Sequence, residues 1–123
     1  VKYEPFFFGG SVQGPEQKYT KGIKNKDFFA KLNAQAWWNL RLRAENTLRA
    51  LDGQSVNLDR CLFIDSKMPN LDALLAELSQ CVYDDSTGKI KVDKSPNDEP
   101  SPNMADAVVM AFAYDVRKGL KSN

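Results

Sequence analysis

Asp106 is the residue whose type and setting most favour chemistry. It lies near the start of a segment with helical periodicity, and in a helix Met110 and Ala113 would lie above it on the same side. Its carboxylate is therefore set into an otherwise apolar surface, which makes it a candidate functional group. An aspartate near a helix start is also explained by its favourable interaction with the helix dipole alone. Taken by itself, the residue is compatible with both interpretations.

A basic stretch over residues 11–26 is the clearest candidate for contacts with phosphate. The stretch is polar and contains Gly14, Pro15 and Gly22, which predicts a mobile loop. A run of charge is also typical of a loop that is merely solvated. Because the formal net charge of the chain is +1, no globally basic field is expected, and any contact with DNA would be local. The candidate DNA-binding residues are Lys18, Lys21, Lys24 and Lys26.

Length and composition limit the scaffold that can hold these residues. With 123 residues there is room for one compact domain, residues 1–123, and 42% hydrophobic with 27% charged residues is typical of a folded protein. The chain has no histidine, and Cys61 and Cys81 lack C-x-x-C spacing, so structural zinc is not expected. No stretch approaches the roughly eighteen apolar residues of a membrane span, and no signal peptide is visible. These features predict an intracellular protein without a membrane partner.

Helical periodicity predicts a long first helix over residues 27–52, with Asn25 or its own first residue as cap and Gly53 at its end. Trp37 and Trp38 lie about 100° apart around its axis. Core packing is favoured for both rings over stacking on nucleic-acid bases. The apolar face of this helix would consist of Phe29, Leu32, Ala36, Leu40, Ala44, Leu48 and Leu51.

The remaining elements are shorter. A second helix is predicted over residues 71–79 with Asn70 as its cap, and a third over residues 101–118, capped by its first serine. Residues 3–8, which are rich in aromatics, predict a strand near a sheet edge, and residues 55–64 one or two brief strands. A β-hairpin is predicted over 82–93 with glycine at its turn. It lacks the ligand spacing of an EF-hand, so bound calcium is not expected there.

Four segments carry a resemblance to a known family. Residues 101–107, Ser-Pro-Asn-Met-Ala-Asp-Ala, resemble the signature S-P-[DN]-x-[AG]-D-[AS], and the hairpin ending at Lys94 resembles the segment that precedes this signature. Residues 33–41 look like an N-x-[RK]-A-x-x-[WY] helix, and residues 71–78 like an L-x-x-E-L element. In this order and spacing, the motifs resemble the nuclease domain of bacteriophage terminase large subunits. Nearly the whole chain is covered, as a C-terminal part of that domain.

The resemblance implies an α/β fold, the C-terminal portion of a ribonuclease H-like fold. A long helix, a β-hairpin and a C-terminal helix would pack on a small mixed sheet. In the family, carboxylates from several elements hold divalent metal ions, Mg²⁺ or Mn²⁺, which assist an in-line attack on a DNA phosphate. Asp106 would be the last of these carboxylates, and therefore both a catalytic residue and a metal ligand. The other acids of the family pattern are expected upstream of Val1.

Three further residues near Asp106 are weaker candidates. Asp93 and Asp98 are close enough in sequence to approach Asp106 as weak metal ligands. Lys94 would contact a DNA phosphate or orient a carboxylate, although a lysine in a loop is more often a solvated surface charge.

The expected function is thus part of a metal-dependent DNA endonuclease, a hydrolase that cleaves concatemeric viral DNA during genome packaging in the cytoplasm of a bacterial host. Double-stranded DNA would be the substrate, and in the parent protein the small terminase subunit and the portal would be partners. No segment matches the G-x-x-x-x-G-K-[ST] loop of an ATPase. The isolated fragment is expected to be inactive and to form a homodimer, because a sheet without its first strands has an unpaired edge.

A different class of function stays open at this point. The chain would then be a non-catalytic prophage-derived remnant that survives as a binding module, or a helical protein-interaction module that docks a partner through exposed tryptophan and leucine faces.

Overall fold

The computed structural model describes residues 6–117, and its elements alternate between short strands and helices. Among these residues no helix is long and apolar enough to span a membrane. In chain order the elements are β1 (Lys18–Thr20), β2 (Ile23–Lys24), α1 (Asn25–Phe28), α2 (Leu32–Leu51), a first 3₁₀-helix (Leu58–Arg60), α3 (Leu71–Gln80), β3 (Val82–Asp84), β4 (Lys91–Asp93), a second 3₁₀-helix (Pro96–Asp98), α4 (Asn103–Ala111) and α5 (Tyr114–Arg117).

The strand pairing confirms the predicted α/β class. β1 pairs with β2, and β3 with β4, both in antiparallel orientation. The second pair is the hairpin predicted over residues 82–93, and Gly88 in its connection has φ +89°, a conformation that favours glycine. An isolated parallel bridge joins Phe29 to Ile90 and ties this hairpin to the segment that precedes α2.

The segment predicted as one helix over residues 27–52 is divided in two. Residues 29–31 separate α1 from α2 because the backbone here pairs with the chain that leads into β4. The Ile90 N–H donates to the Phe28 carbonyl at 2.7 Å, and the Ala30 N–H donates to the Ile90 carbonyl at 2.9 Å. These long-range bonds replace helical ones, so the prediction of a continuous helix was wrong at its start.

The core lies where one face of α2 meets α3 and α4. Trp37 is buried in it, as predicted, and burial of such a side chain contributes about 1.5–3 kcal/mol. The apolar face of α2 is shorter than predicted, since Leu48 and Leu51 are 66% and 80% exposed. The predicted C-terminal glycine cap is confirmed by Gly53, which has φ +84°. The buried cluster consists of Ala36, Trp37, Leu40, Leu74, Ala105 and Val109.

A buried ion pair joins α2 to α5. The Arg43 guanidinium donates to both carboxylate oxygens of Asp115, at 2.7 and 3.0 Å, and both side chains are almost fully buried. The same guanidinium donates to the backbone carbonyls of Asp59 and Cys61. The hydrogen bonds to Asp115 raise the pKa of Arg43. Arg43 therefore holds α5 and residues 59–61 against the middle of α2.

Several local predictions were wrong. Residues 6–8 of the predicted first strand are not in a strand, and residues 1–5 lie outside the described part. The segment 55–64 contains no strand; its residues 58–60 form the first 3₁₀-helix. The predicted third helix is interrupted between α4 and α5, and residues 118–119, its predicted end, lie outside the described part.

The predicted helix caps also differ from those observed. Asn25 donates through its side chain to the carbonyls of Gln13 and Gly14 instead of capping a helix, and the Asn70 side chain makes no capping hydrogen bond. Both side chains were predicted to cap on the basis of their type, but type alone does not determine which partner they reach.

Candidate functional site

Asp106 lies in the first turn of α4 and is 8% exposed. The start of this helix is held from α3: one carboxylate oxygen of Glu77, Oε1, accepts from the backbone N–H groups of Met104 and Ala105, at 2.8 and 3.2 Å. Glu77 thus provides the cap that was predicted for Ser101. A carboxylate at this end also interacts favourably with the helix dipole. The position of Asp106 is therefore fixed by packing between helices distant in sequence.

The Asp106 carboxylate accepts hydrogen bonds from two side chains. The Trp37 indole N–H donates to Oδ1 at 3.3 Å. The Lys94 ammonium donates to Oδ1 at 3.1 Å and to Oδ2 at 2.9 Å. Lys94 in turn lies 4.3 Å from the centre of the Phe8 ring, a distance at which a cation is attracted to an aromatic face. Asp106 is thus a paired charge at the edge of the core.

Lys94 was predicted to orient a carboxylate or to contact phosphate, with a solvated surface charge as the alternative. It contacts Asp106, and its side chain is 23% exposed, so it is a paired charge that water reaches in part. The carbonyl of Lys94 accepts from the Gln80 side-chain amide at 2.7 Å, which fixes the backbone here. The nearby Cys81 thiol has its pKa raised to about 11, mainly because it is partly buried and secondly because of the negative charge of Asp106.

The two weaker metal-ligand candidates do not join Asp106 in a cluster. Asp93 accepts from the backbone N–H of Ser95, and Asp98 is exposed in the second 3₁₀-helix with φ +59°. Within residues 6–117 no group of three or more acidic, cysteine or histidine residues is arranged to hold a metal ion. The acids of the described segment therefore do not by themselves fit a two-metal centre, which needs several carboxylates around both ions.

Residues 18–24 of the basic stretch form a hairpin, where a loop was predicted. β1 and β2 are joined by Lys21 and Gly22, which have φ +45° and +79°. A two-residue turn with two positive φ angles matches the twist of the paired strands. Lys18 and Lys24 are register partners across the hairpin, so two of the predicted DNA-binding lysines stand directly opposite each other.

Glu16 is the residue in this region that sequence reasoning missed. Its carboxylate bridges two of the four lysines, with Oε2 2.6 Å from Lys24 Nζ and Oε1 2.7 Å from Lys26 Nζ. Hydrogen bonds from Lys24 and then Lys26 lower the pKa of Glu16 to about 2. None of the four quoted motif segments includes Glu16, and separations of eight and ten positions from the two lysines are not a spacing that signals a contact.

Trp38 packs within a second aromatic cluster, as predicted. Its indole N–H donates to the Tyr19 hydroxyl at 3.0 Å, its ring lies edge-on to Phe28 and Tyr83, and the Arg41 guanidinium is 4.4 Å above it. Burial raises the pKa of Tyr83, whose hydroxyl donates to the Trp37 carbonyl at 3.0 Å. The Trp38 ring is therefore engaged within the protein, which favours packing over stacking on bases.

Solved structures that are similar to this chain include a viral domain. The nuclease domain of the large terminase subunit gp2 of bacterial virus Sf6 superposes with a TM-score of 0.77 at 29% identity, covering 85% of this chain and 50% of that one. The chain has the fold of a C-terminal part of a terminase nuclease domain. This confirms the resemblance and the ribonuclease H-like fold class inferred from the sequence motifs.

Two structures of a point mutant of that terminase nuclease domain also match. One, with manganese and β-thujaplicinol, has a TM-score of 0.74, and one of bacteriophage Sf6 with calcium has 0.73; both are 30% identical over 85% of this chain. The chain spans about half the length of these terminase nuclease domains, 50% in each case. No family model and no curated protein matches the sequence.

Proposed function

We propose that this chain is part of a metal-dependent DNA endonuclease that cleaves concatemeric viral DNA during genome packaging. The observation that carries the proposal is the buried Asp106 carboxylate, held at the start of α4 by Trp37 and Lys94, in a chain with a terminase nuclease fold. Double-stranded DNA is the substrate in this proposal. The setting is the cytoplasm of a bacterial host, and the complete protein works with a small terminase subunit and the portal.

Asp106 is the proposed catalytic acid and metal ligand of this part. Similar domains were solved with manganese and with calcium, which supports a divalent ion, Mg²⁺ or Mn²⁺, as the cofactor of the complete domain. A single carboxylate does not hold two metal ions, so this function needs acids from the rest of the domain. Until a metal ion is bound, Lys94 supplies the positive charge beside Asp106. We expect the isolated chain to be inactive and to form a homodimer.

The test uses a complete terminase nuclease domain that carries this chain as its C-terminal half. Asp106→Asn keeps the size of the side chain and its acceptor oxygen but removes its charge, so we expect an unchanged circular dichroism spectrum and loss of Mn²⁺-dependent plasmid nicking, by about 10²-fold or more. Asp98→Asn is the matched control, because it removes an exposed carboxylate from the same part of the chain. Nicking by Asp106→Asn at the wild-type rate would show that Asp106 is not a catalytic acid.

A further inference from the structure

The β1–β2 hairpin concentrates positive charge in a way that folding alone does not favour. Lys18 and Lys24 are cross-strand partners next to an irregularity in the register, and like charges on facing strands destabilise a hairpin. Lys21, at the turn, adopts a positive φ angle that a non-glycine residue adopts only at a cost. Lys26 follows at the start of α1, so four lysines lie within nine positions. Such an arrangement points to an anionic ligand.

Glu16 shows how an anion is held here. Its two oxygens are divided between the ammonium groups of Lys24 and Lys26, so one group with two acceptor oxygens bridges two cations. A phosphate of a DNA backbone presents two non-bridging oxygens to its partners in the same manner. Glu16 is well exposed, with 64% of its side chain accessible, so water and solutes can reach this contact. Exposed ion pairs are weak and are exchanged readily.

We propose that Lys24 and Lys26 form a seat for one DNA phosphate, and that Glu16 occupies this seat in the free protein and is displaced when DNA binds. Glu16 is then an internal competitor that lowers the affinity of the hairpin for DNA. The inference rests on the proposed function for the identity of the ligand, since the anion is taken to be the phosphate of the substrate duplex.

The experiment measures binding of the chain to a fluorescently labelled 20-base-pair duplex by anisotropy over a series of salt concentrations. We expect Glu16→Gln to bind about two- to fivefold more tightly than the wild type, the range that corresponds to loss of an exposed competing ion pair. Asp52→Asn is the matched control, because it makes the same charge change about 25 Å along the axis of α2 from Gln35, whose side chain is hydrogen-bonded to Gln13, three residues before Glu16. At that distance its effect is largely screened by salt.

Two further variants distinguish loss of competition at Lys24 and Lys26 from a general effect of the change in net charge. In a Lys24→Gln/Lys26→Gln background, Glu16→Gln should no longer increase affinity. The double lysine variant should also flatten the plot of log binding constant against log salt concentration by about 0.9 for each lost phosphate contact. If Glu16→Gln and Asp52→Asn bind equally, or if the gain survives without the two lysines, the proposed seat is wrong.

A second probe distinguishes failure of the seat from failure of the proposed function. Inorganic phosphate titrated into Glu16→Gln should shift the backbone amide resonances of residues 24–26, and it should not do so in the double lysine variant. If no variant binds the duplex while phosphate produces this shift, the seat is supported and DNA as its ligand is wrong. If phosphate shifts nothing, the seat itself is overturned.

Discussion

Two carboxylates within residues 6–117, Asp106 and Glu16, are paired with lysine, and their surroundings differ. Asp106 is buried at the edge of the core and is held by Lys94 and Trp37. Glu16 is exposed and is held by Lys24 and Lys26. The Coulomb attraction between two charges increases as water is removed, and so does the cost of leaving one of them without a partner. The buried pair therefore fixes a geometry, whereas the exposed one can be exchanged for another ligand.

This difference suits the two sites to the different tasks that we propose for them. A catalytic carboxylate must be held within a fraction of an ångström of its working position, which packing between α2, α3 and α4 provides for Asp106. The proposed contact of the hairpin with the DNA backbone has to form and break, and weak, exposed pairs allow this.

The largest effect is expected where the buried pair is broken. Lys94→Met removes the cation and leaves the Asp106 carboxylate partly buried without it. We expect a loss of about 3 kcal/mol in the free energy of unfolding, the lower end for a broken buried pair, because Lys94 keeps some exposure to water. Urea denaturation of the chain measures this change.

The control for this variant neutralises both partners. Lys94→Met combined with Asp106→Asn should recover most of the lost stability, since no unpaired charge is left. If Lys94→Met alone lowers the free energy of unfolding by less than about 1 kcal/mol, the Lys94–Asp106 pair contributes no more than an exposed ion pair. The contrast with Glu16 would then be wrong.

Much of the scaffold could be predicted from the sequence, because its signals are local. Period-3.6 patterns located α3 and most of α2, alternation located the β3–β4 hairpin, and Gly53 marked the end of α2. The break at residues 29–31 could not be predicted in this way. It depends on hydrogen bonds to Ile90, some sixty positions away, which local propensity does not report.

The candidate site was predicted less completely, for the same reason. The motif around Asp106 drew attention to a carboxylate that is buried and paired in the structure, and Lys94 was considered as a residue that orients it. The contact with Trp37 spans 69 positions and the cap from Glu77 spans 27, so neither has a signal in a single sequence. Without covarying positions, such contacts become visible only in the folded chain.

The ion pairs of Glu16 are exposed, so we expect them to contribute less to the stability of the fold than the Lys94–Asp106 pair. Their effect should be seen in the titration of the Glu16 carboxyl. Lys24 and Lys26 hold the pKa of Glu16 near 2, below the usual value for glutamate. The pairing is thus fully present above the ordinary glutamate pKa and is lost only as the pH falls through about 2. Carbon-detected NMR of the Glu16 carboxyl should show a midpoint below the ordinary glutamate value in the wild type.

The matched variant for this titration is Lys24→Gln/Lys26→Gln, in which the midpoint should rise toward the ordinary value. An equal midpoint in both proteins would mean that the two lysines do not hold Glu16 in solution.

The most direct test of the central claim, that Asp106 is a metal ligand of a nuclease, is paramagnetic broadening by Mn²⁺ in the complete domain. The Trp37 indole N–H donates to the Asp106 carboxylate, whereas that of Trp38 donates to Tyr19, so the two indole resonances form an internal comparison. We expect substoichiometric Mn²⁺ to broaden the Trp37 resonance well before that of Trp38, and we expect Asp106→Asn to abolish this preference. Equal broadening of both resonances, or the same preference in Asp106→Asn, would contradict it.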